Sequence, residues 1–371
     1  MAASNEDIDP DLLRSLLAEA TDEDLEPLSP EDSLEMYVSL REDEVSPSTI
    51  RTHRSRLGHF IEWCNENEVE NLNDLTGRNL QTYRTWRKQG LSISSLESNM
   101  RTLQIYLRKC VKFDAVSSDI PAKVDIPSVS SEENSRDEMI SSERVKEILN
   151  HLRKYEYASL EHVIWLLLAN TGMRIGAVRA LDLKNYKSTD QKLVLVHRPD
   201  SDTPLKNKED SEREVDISSH IEEVLNDFMS DKRPDVTDDY GREPLLATNH
   251  GRIALSTIRK YAYKWTRPCV ITGSCPHGVA DDEIDDCKAA QTASKAHNCP
   301  GSLSPHPIRR GYITHELDAG IPQEVVSDRC DVGLDIIEEH YDQRSDGEKM
   351  RLRKEIREAA YNDTGESGYG Q

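Results

Sequence analysis

His306 and Arg309 stand three residues apart in the stretch HPIRRGYITHELDAGIPQEVVSDRCDVGLDIIEEHYD. About one helical turn separates them, so both can face one point. The same stretch closes on Tyr341, beside His340, and a second arginine, Arg174, lies upstream in TGMRIGAVRALDL. Guanidinium forks match phosphate oxygens. A tyrosine hydroxyl can serve as a covalent nucleophile, and an imidazole can manage its proton. Together these residue types can grip a phosphate diester and attack it.

A second group is made of thiols. Four of the seven cysteines, Cys269, Cys275, Cys287 and Cys299, fall in one 31-residue window, with His277 and His297 close by. Zinc takes four nitrogen or sulfur ligands in a tetrahedron, and the Pro and Gly residues of this loop permit the turns required. The spacings are wider than a C-x-x-C knuckle. A structural zinc on the four cysteines is expected, with either histidine as a substitute; the competing reading is a set of free thiols in a polar loop. Nothing marks an open coordination position, so a catalytic zinc is not expected. An odd cysteine count in a chain of this size argues against a disulfide framework.

The elements that must position these residues read as mostly helical. Residues 1–29 form an acidic tail in which Leu12, Leu13, Leu16 and Leu17 could line one stripe of a short helix. From residue 30 to 116 the apolar spacing and two Ser-Pro starts predict a four-helix domain. Its helices carry Arg51, His53, Arg54 and Arg56, then Arg84, Arg87, Lys88, Arg101, Arg108, Lys109 and Lys112, a recurring basic face. Residues 117–140, rich in Ser, Pro and acids, read as a linker. A second domain spans 141–361, interrupted by the cysteine-rich insertion at 268–301, with a flexible tail at 362–371. It holds a buried helix, LEHVIWLLLAN, then two strand-like runs, Lys192–His197 and Arg213–Ile217, flanking a polar turn that contains Lys206 and Lys208. A later helix, ALSTIRKYAYKWTRP, interleaves Arg259, Lys260, Lys264 and Arg267 with aromatics. The fold class is mainly α, formally α+β, with one small hairpin or sheet.

Composition pulls against the phosphate chemistry. The chain has 69 acidic and 47 basic residues, a net charge of −22. Phosphate contacts supply most nucleic-acid affinity, so this balance argues for a different partner. The other reading is a surface suited to concentrated salt, where charges are screened beyond about 3 Å at 1 M. Few aromatics and many aspartates favour the second, with a basic island on an acidic body. The longest apolar run, Val163–Ala169, is far short of the ~20 residues of a membrane span, and a cytoplasmic protein is expected.

The TGMR…LDL and HPIR…Y boxes, in that order and with a basic hairpin between them, resemble those of tyrosine recombinases of the phage-integrase family, the acidic integrase-like proteins of haloarchaea in particular. The resemblance covers roughly residues 30 to 345. It implies a helical core-binding domain that clamps one side of duplex DNA and a catalytic domain that needs neither metal nor nucleotide cofactor. Tyr341 would form a 3′-phosphotyrosyl bond. Arg174 and Arg309 would neutralise the phosphate, and His306 would act on the tyrosine proton or the phosphate. A hairpin lysine, Lys206 in preference to Lys208, would protonate the leaving 5′ oxygen. It also implies self-association on DNA, from dimer to tetramer, and a C-terminal helix that docks on a neighbouring protomer.

Two positions depart from the family pattern. Ala177 stands where an acidic residue commonly follows the first arginine. Val332 stands nine residues before Tyr341, where a histidine or tryptophan is usual, and valine donates no hydrogen bond; the sequence leaves open whether Asp331 or a residue from elsewhere compensates. These departures keep open a second class of function, a catalytically weak or silent DNA-binding regulator on the same scaffold. A third is a zinc-stabilised interaction protein that does not bind DNA.

Overall fold

The computed structural model describes residues 25–128 and 138–341, together with positions 347, 350, 351 and 353–358. The leucine stripe of the N-terminal tail lies outside the described residues; the described positions of the C-terminal segment, 347, 350, 351 and 353–358, are helical. The chain divides into two units, residues 1–136 and 137–371.

The first unit holds four α-helices among the described residues. Helices α1 (Pro30–Glu42) and α2 (Pro47–Glu66) both start at a Ser-Pro step. The serine side chains of Ser29 and Ser46 accept from the N–H groups of Asp32 and Thr49. The proline sits where a helix needs no donor, so the dipeptide caps and starts the helix at once. Helix α3 (Gly77–Arg87) opens with a Thr76/Asn79 capping box and α4 (Ile93–Cys110) with Ser92. Few aromatics occur in the chain, yet Tyr37, Phe60, Trp63, Tyr83 and Tyr106 all meet in this core. Their edge-on contacts, 5.1 Å for Phe60–Tyr83 and 5.4 Å for Tyr37–Tyr106, are favourable ring geometries.

Two expectations for this unit are corrected. The stretch read as linker from residue 117 begins with packed residues: Ile120 and Val124 are buried in the same core, around a single turn at Ile120–Lys123. One turn is too short for a period to show in the sequence. His53, expected on the basic face, is buried with Nδ1 2.7 Å from the Tyr37 hydroxyl.

The second unit begins with α5 (Ser142–Tyr155), α6 (Leu160–Thr171) and the short α7 (Ile175–Ala180). Every residue of α6 from His162 to Leu168 is buried, which makes it the hub of the larger core. A three-stranded antiparallel sheet follows, β1 (Tyr186–Lys187), β2 (Lys192–Leu195) and β3 (Arg213–Asp216), with Leu193 opposite Val215. Then come α8 (Ser219–Asp227), the hairpin of β4 (Ala247–Thr248) and β5 (Gly251–Arg252), α9 (Leu255–Trp265) and α10 (Pro268–Thr272). Three further helices follow, α11 (Pro305–Asp318), α12 (Gln323–Cys330) and α13 (Leu334–His340). Arg252 lies between the carboxylates of Asp182 and Asp238, the latter at 2.8 Å, and so ties the second hairpin to the end of α7. Paired and hydrogen-bonded in this way, these buried charges are tolerated; removing one partner would strand the other.

A separate small core gathers Tyr312, Ile313, Leu317, Val326, Cys330, Val332, Ile337 and Tyr341 around the last three helices. Among the described residues no helix is long and apolar enough to cross a membrane.

Candidate active site

Arg174 leaves the chain at the sharp turn between α6 and α7. Gly172 ends α6 with φ +58°, and a Cβ there would lie 2.4 Å from Tyr312 Cδ1 and 2.8 Å from Cys330 Sγ. Only glycine fits both the left-handed backbone and the contact. The turn therefore packs directly on α11 and the end of α12, and brings Arg174 to the same place as the HPIR box.

Arg309 joins these segments. It is almost wholly buried, and its guanidinium donates to three main-chain carbonyls: Gly172 at 2.7 Å, Cys330 at 2.5 Å and Asp331 at 3.2 Å. Burial pulls its pKa down to about 10, with the positive charge of Arg174 adding to the effect. It stays protonated at neutral pH. Arg174 pairs with the Asp331 carboxylate while Arg309 donates to the Asp331 carbonyl, so the two arginines meet at one residue.

His306 occupies the first turn of α11, one residue after the helix starts. Partial loss of solvent around its ring, then the charges of Arg309, Arg310 and Arg174, hold its pKa below the usual value. A neutral imidazole can accept a proton. Tyr341 caps the C-terminal end of α13 and is 9% exposed. The Arg310 guanidinium lies over its ring at 5.5 Å, and Tyr341 is close enough to Arg309 to influence its charge. Arg174, His306, Arg309 and Tyr341, spread over 168 positions of sequence, are thus brought into one neighbourhood.

Lys206 and Lys208 are exposed in the turn between β2 and β3, with Lys208 at φ +57°. The turn is anchored at the site by the residue between them: Asn207 Nδ2 donates to Asp331 Oδ1 at 2.8 Å. The two lysines thus bracket a residue tied to Asp331.

Sequence reasoning did not assign the residues that knit this cluster. Asp331, at φ +54°, directs its carboxylate inward to Arg174, to Asn207 and to the Ser211 hydroxyl at 2.7 Å. Arg213, the first residue of β3, donates to the carbonyls of Ser211 at 2.9 Å and Arg329 at 3.0 Å. A serine and an asparagine in a polar turn carry no periodic signal; Asp331 could be suspected only because Val332 cannot donate. The Val332 side chain lies in the small apolar core, and its carbonyl accepts from Ser327 Oγ at 2.6 Å. Ala177 is buried in α7, so the missing acidic partner of Arg174 comes instead from Asp331.

The four insertion cysteines are free and partly buried. Cys269 lies within electrostatic reach of Cys275 and Cys299; burial is the main cause that raises its pKa. Among the described residues no group of three or more His, Cys, Asp or Glu is gathered closely enough to hold a metal ion, so the expected tetrahedron is not assembled. The loop has only short helical pieces, α10 and the 3-10 stretches Asp281–Asp286 and Ala293–Asn298, to hold its thiols.

The basic faces are partly spent inside the protein. Lys109 pairs with Glu44 at 2.6 Å, Arg101 with Glu97 at 2.7 Å, Arg84 with Asp125 at 3.2 Å, and Arg54 with Glu35. Arg51, Lys88, Arg108 and Lys112 remain exposed. On α9, Lys264 pairs with Glu161 at 2.8 Å, whereas Arg259 and Lys260 line an open groove with Ser256, Thr257, Tyr263 and His297.

Residues 34–110 match the model of the phage integrase N-terminal SAM-like domain. The chain is similar to the tyrosine recombinase XerC of Psychromonas ingrahamii, 18% identical over 276 residues that cover 74% of this chain and 78% of that one. XerC of Lacticaseibacillus casei is 21% identical over 293 residues, 77% of this chain and 85% of that one. Among solved structures, the Tn1549 transposon integrase in complex with a circular intermediate DNA aligns over 87% of this chain and 99% of that one, with a TM-score of 0.60 and 10% identity. A lambda integrase dimer bound to a COC′ core site aligns over 94% of this chain and 82% of that one, at 0.56 and 12%. At these identities the structural likeness shows the fold.

Proposed function

We propose that this chain is a tyrosine recombinase of the phage-integrase family, as its N-terminal domain match and its recombinase relatives support, and that it cleaves and rejoins double-stranded DNA at specific sites through a 3′-phosphotyrosyl intermediate. The observation that carries the reading is the convergence of Arg174, His306, Arg309 and Tyr341 beside the Lys206–Lys208 turn, within one folded unit.

In this reading the Tyr341 oxygen attacks the scissile phosphorus and displaces the 5′ oxygen, which leaves as a hydroxyl. His306 takes the tyrosine proton, consistent with its lowered pKa. Arg174 and Arg309 stabilise charge that builds on the non-bridging oxygens, usually the largest catalytic contribution. Lys206, in preference to Lys208, gives a proton to the leaving oxygen. Attack by the 5′ hydroxyl of a partner strand reverses the step and releases Tyr341. The phosphodiester is exchanged for a phosphotyrosyl ester, so no nucleotide is consumed.

Three finer points belong to the same reading. The partner is duplex DNA, bound by dimers to tetramers of this chain. The acidic body suits an archaeal cytoplasm of high salt. Cys269, Cys275, Cys287 and Cys299 would hold a structural zinc only by drawing together from the separated positions they occupy here; what supports this is four partly buried thiols in one loop. Mass spectrometry of the native protein should find one zinc per chain, and a chelator should lower its melting temperature. Metal-free protein that melts at the same temperature with and without chelator would refute the zinc.

One observation favours a second reading, a silent DNA-binding regulator: Val332 and Tyr341 are both packed in the small apolar core. Covalent trapping separates the two. Nicked suicide duplexes cut from DNA flanking the gene are incubated with protein in molar KCl. Wild type should give a protein–DNA band that survives denaturation, and Tyr341→Phe none. Tight duplex binding without a covalent band would support the regulator.

A further inference from the structure

We infer that the Asp331 carboxylate is a built-in occupant of the scissile-phosphate pocket, and that Ser211 and Asn207, which hold it, are phosphate-contacting residues of the strand-cleavage step. The inference rests on the recombinase reading and extends it to residues outside the expected set.

The argument starts from what Asp331 binds. Its Oδ2 accepts from Arg174 and from Ser211 Oγ at 2.7 Å, and its Oδ1 accepts from Asn207 Nδ2 at 2.8 Å. The side chain is 13% exposed. A carboxylate and a phosphodiester both offer two anionic oxygens to such donors, and an arginine fork does not distinguish them by charge. One of the three donors is Arg174, the residue expected to bind the scissile phosphate. Donors arranged around an internal anion on that arginine therefore outline the pocket that a phosphate would enter.

The surroundings fit an anion that can be exchanged. Arg213 supports Ser211 through its carbonyl, and the buried guanidinium of Arg309 holds the main chain of Cys330 and Asp331. Three guanidiniums, of Arg174, Arg213 and Arg309, thus crowd one carboxylate, and without a counter-anion they would repel one another. Asp331 supplies that counter-charge in the absence of DNA. Its backbone lies in the left-handed region, where a non-glycine residue is disfavoured. The chain thus carries an acidic side chain at a turn that glycine would form more readily. When DNA arrives, the phosphate takes the donors of Arg174, Ser211 and Asn207, and the Asp331 side chain swings out. Duplex that cannot present a phosphate at this point leaves the carboxylate in place.

The test uses inorganic phosphate as probe, full-length protein and calorimetric titration in molar KCl. Asp331→Gly suits the local backbone and removes the carboxylate; Asp331→Asn keeps the shape and removes the charge. Circular dichroism confirms that each variant is folded. Both variants should bind phosphate at least tenfold tighter than wild type, and adding Ser211→Ala to Asp331→Gly should return most of that gain. Folded variants that bind phosphate no better than wild type overturn the inference. So does a gain in phosphate binding that Ser211→Ala leaves untouched. Covalent trapping is run in parallel on the same proteins. A phosphate gain with no Tyr341 adduct in any protein would sink the recombinase reading and leave the pocket standing. An adduct in wild type with no phosphate gain in either variant would do the reverse.

Discussion

Lys206 and Lys208 flank Asn207, a turn residue that is hydrogen-bonded into the arginine cluster. Alternating around that anchor, only one of them can serve as the acid for the leaving oxygen. General acid catalysis contributes about 10²–10⁴-fold, so Lys206→Ala should slow cleavage of an ordinary strand by roughly 100-fold. A substrate whose 5′ leaving atom is sulfur, which departs without a proton, should be cleaved by Lys206→Ala at nearly the wild-type rate. Lys208→Ala should change neither rate by more than a few-fold; the opposite pattern would transfer the role to Lys208. At this scale the sequence showed which residue types could do the chemistry, because arginine, histidine and tyrosine stood in two recognisable boxes. It did not show what holds them. Ser211, Asn207 and Arg213 act through contacts between segments far apart in the chain, and such contacts leave no local pattern.

Helix α6 and the turn after it show what an element contributes. The run from Val163 to Leu168 is apolar on every side, which already marks a buried helix in the sequence. Its Thr-Gly ending reads as a stop, but not as a packing surface. The structure adds that Gly172 is pressed against Tyr312 and Cys330. Gly172→Ala combines a left-handed backbone, worth about 1–2 kcal/mol, with overpacking of about 1–3 kcal/mol. The expected result is a loss of about 3 kcal/mol, read as a fall in melting temperature of roughly 10 °C. A melting temperature within a degree or two of wild type would mean that the turn relaxes freely. The Ser-Pro helix starts at Ser29 and Ser46 were legible for a related reason: cap and helix start are neighbours in sequence. The extent of the first unit was not, since Ile120 and Val124 join its core through one short turn.

For the molecule as a whole, a net charge of −22 sets the terms of stability. Unpaired carboxylates repel, and raising KCl from 0.1 to 2 M shortens the reach of that repulsion from about 10 Å to a few ångströms. The melting temperature should therefore climb across this range, by more than that of a neutral protein of similar size. A flat or falling curve would show that local ion pairs such as Lys109–Glu44 and Arg101–Glu97 already balance the surface. Arg309 carries a different consequence. Its three carbonyl partners make it a fastening between α11, the Gly172 turn and the end of α12, so discarding it would loosen the domain even in a chain that no longer cut DNA. Tyr341 contributes its ring to the small apolar core. A lineage drifting away from catalysis would therefore lose a single oxygen first, Tyr to Phe at 341, and keep the buried arginine long afterwards. If Tyr341 is the nucleophile, as proposed, the hydroxyl at 341 would mark activity among descendants of this chain, and the arginine at 309 would mark the preserved fold.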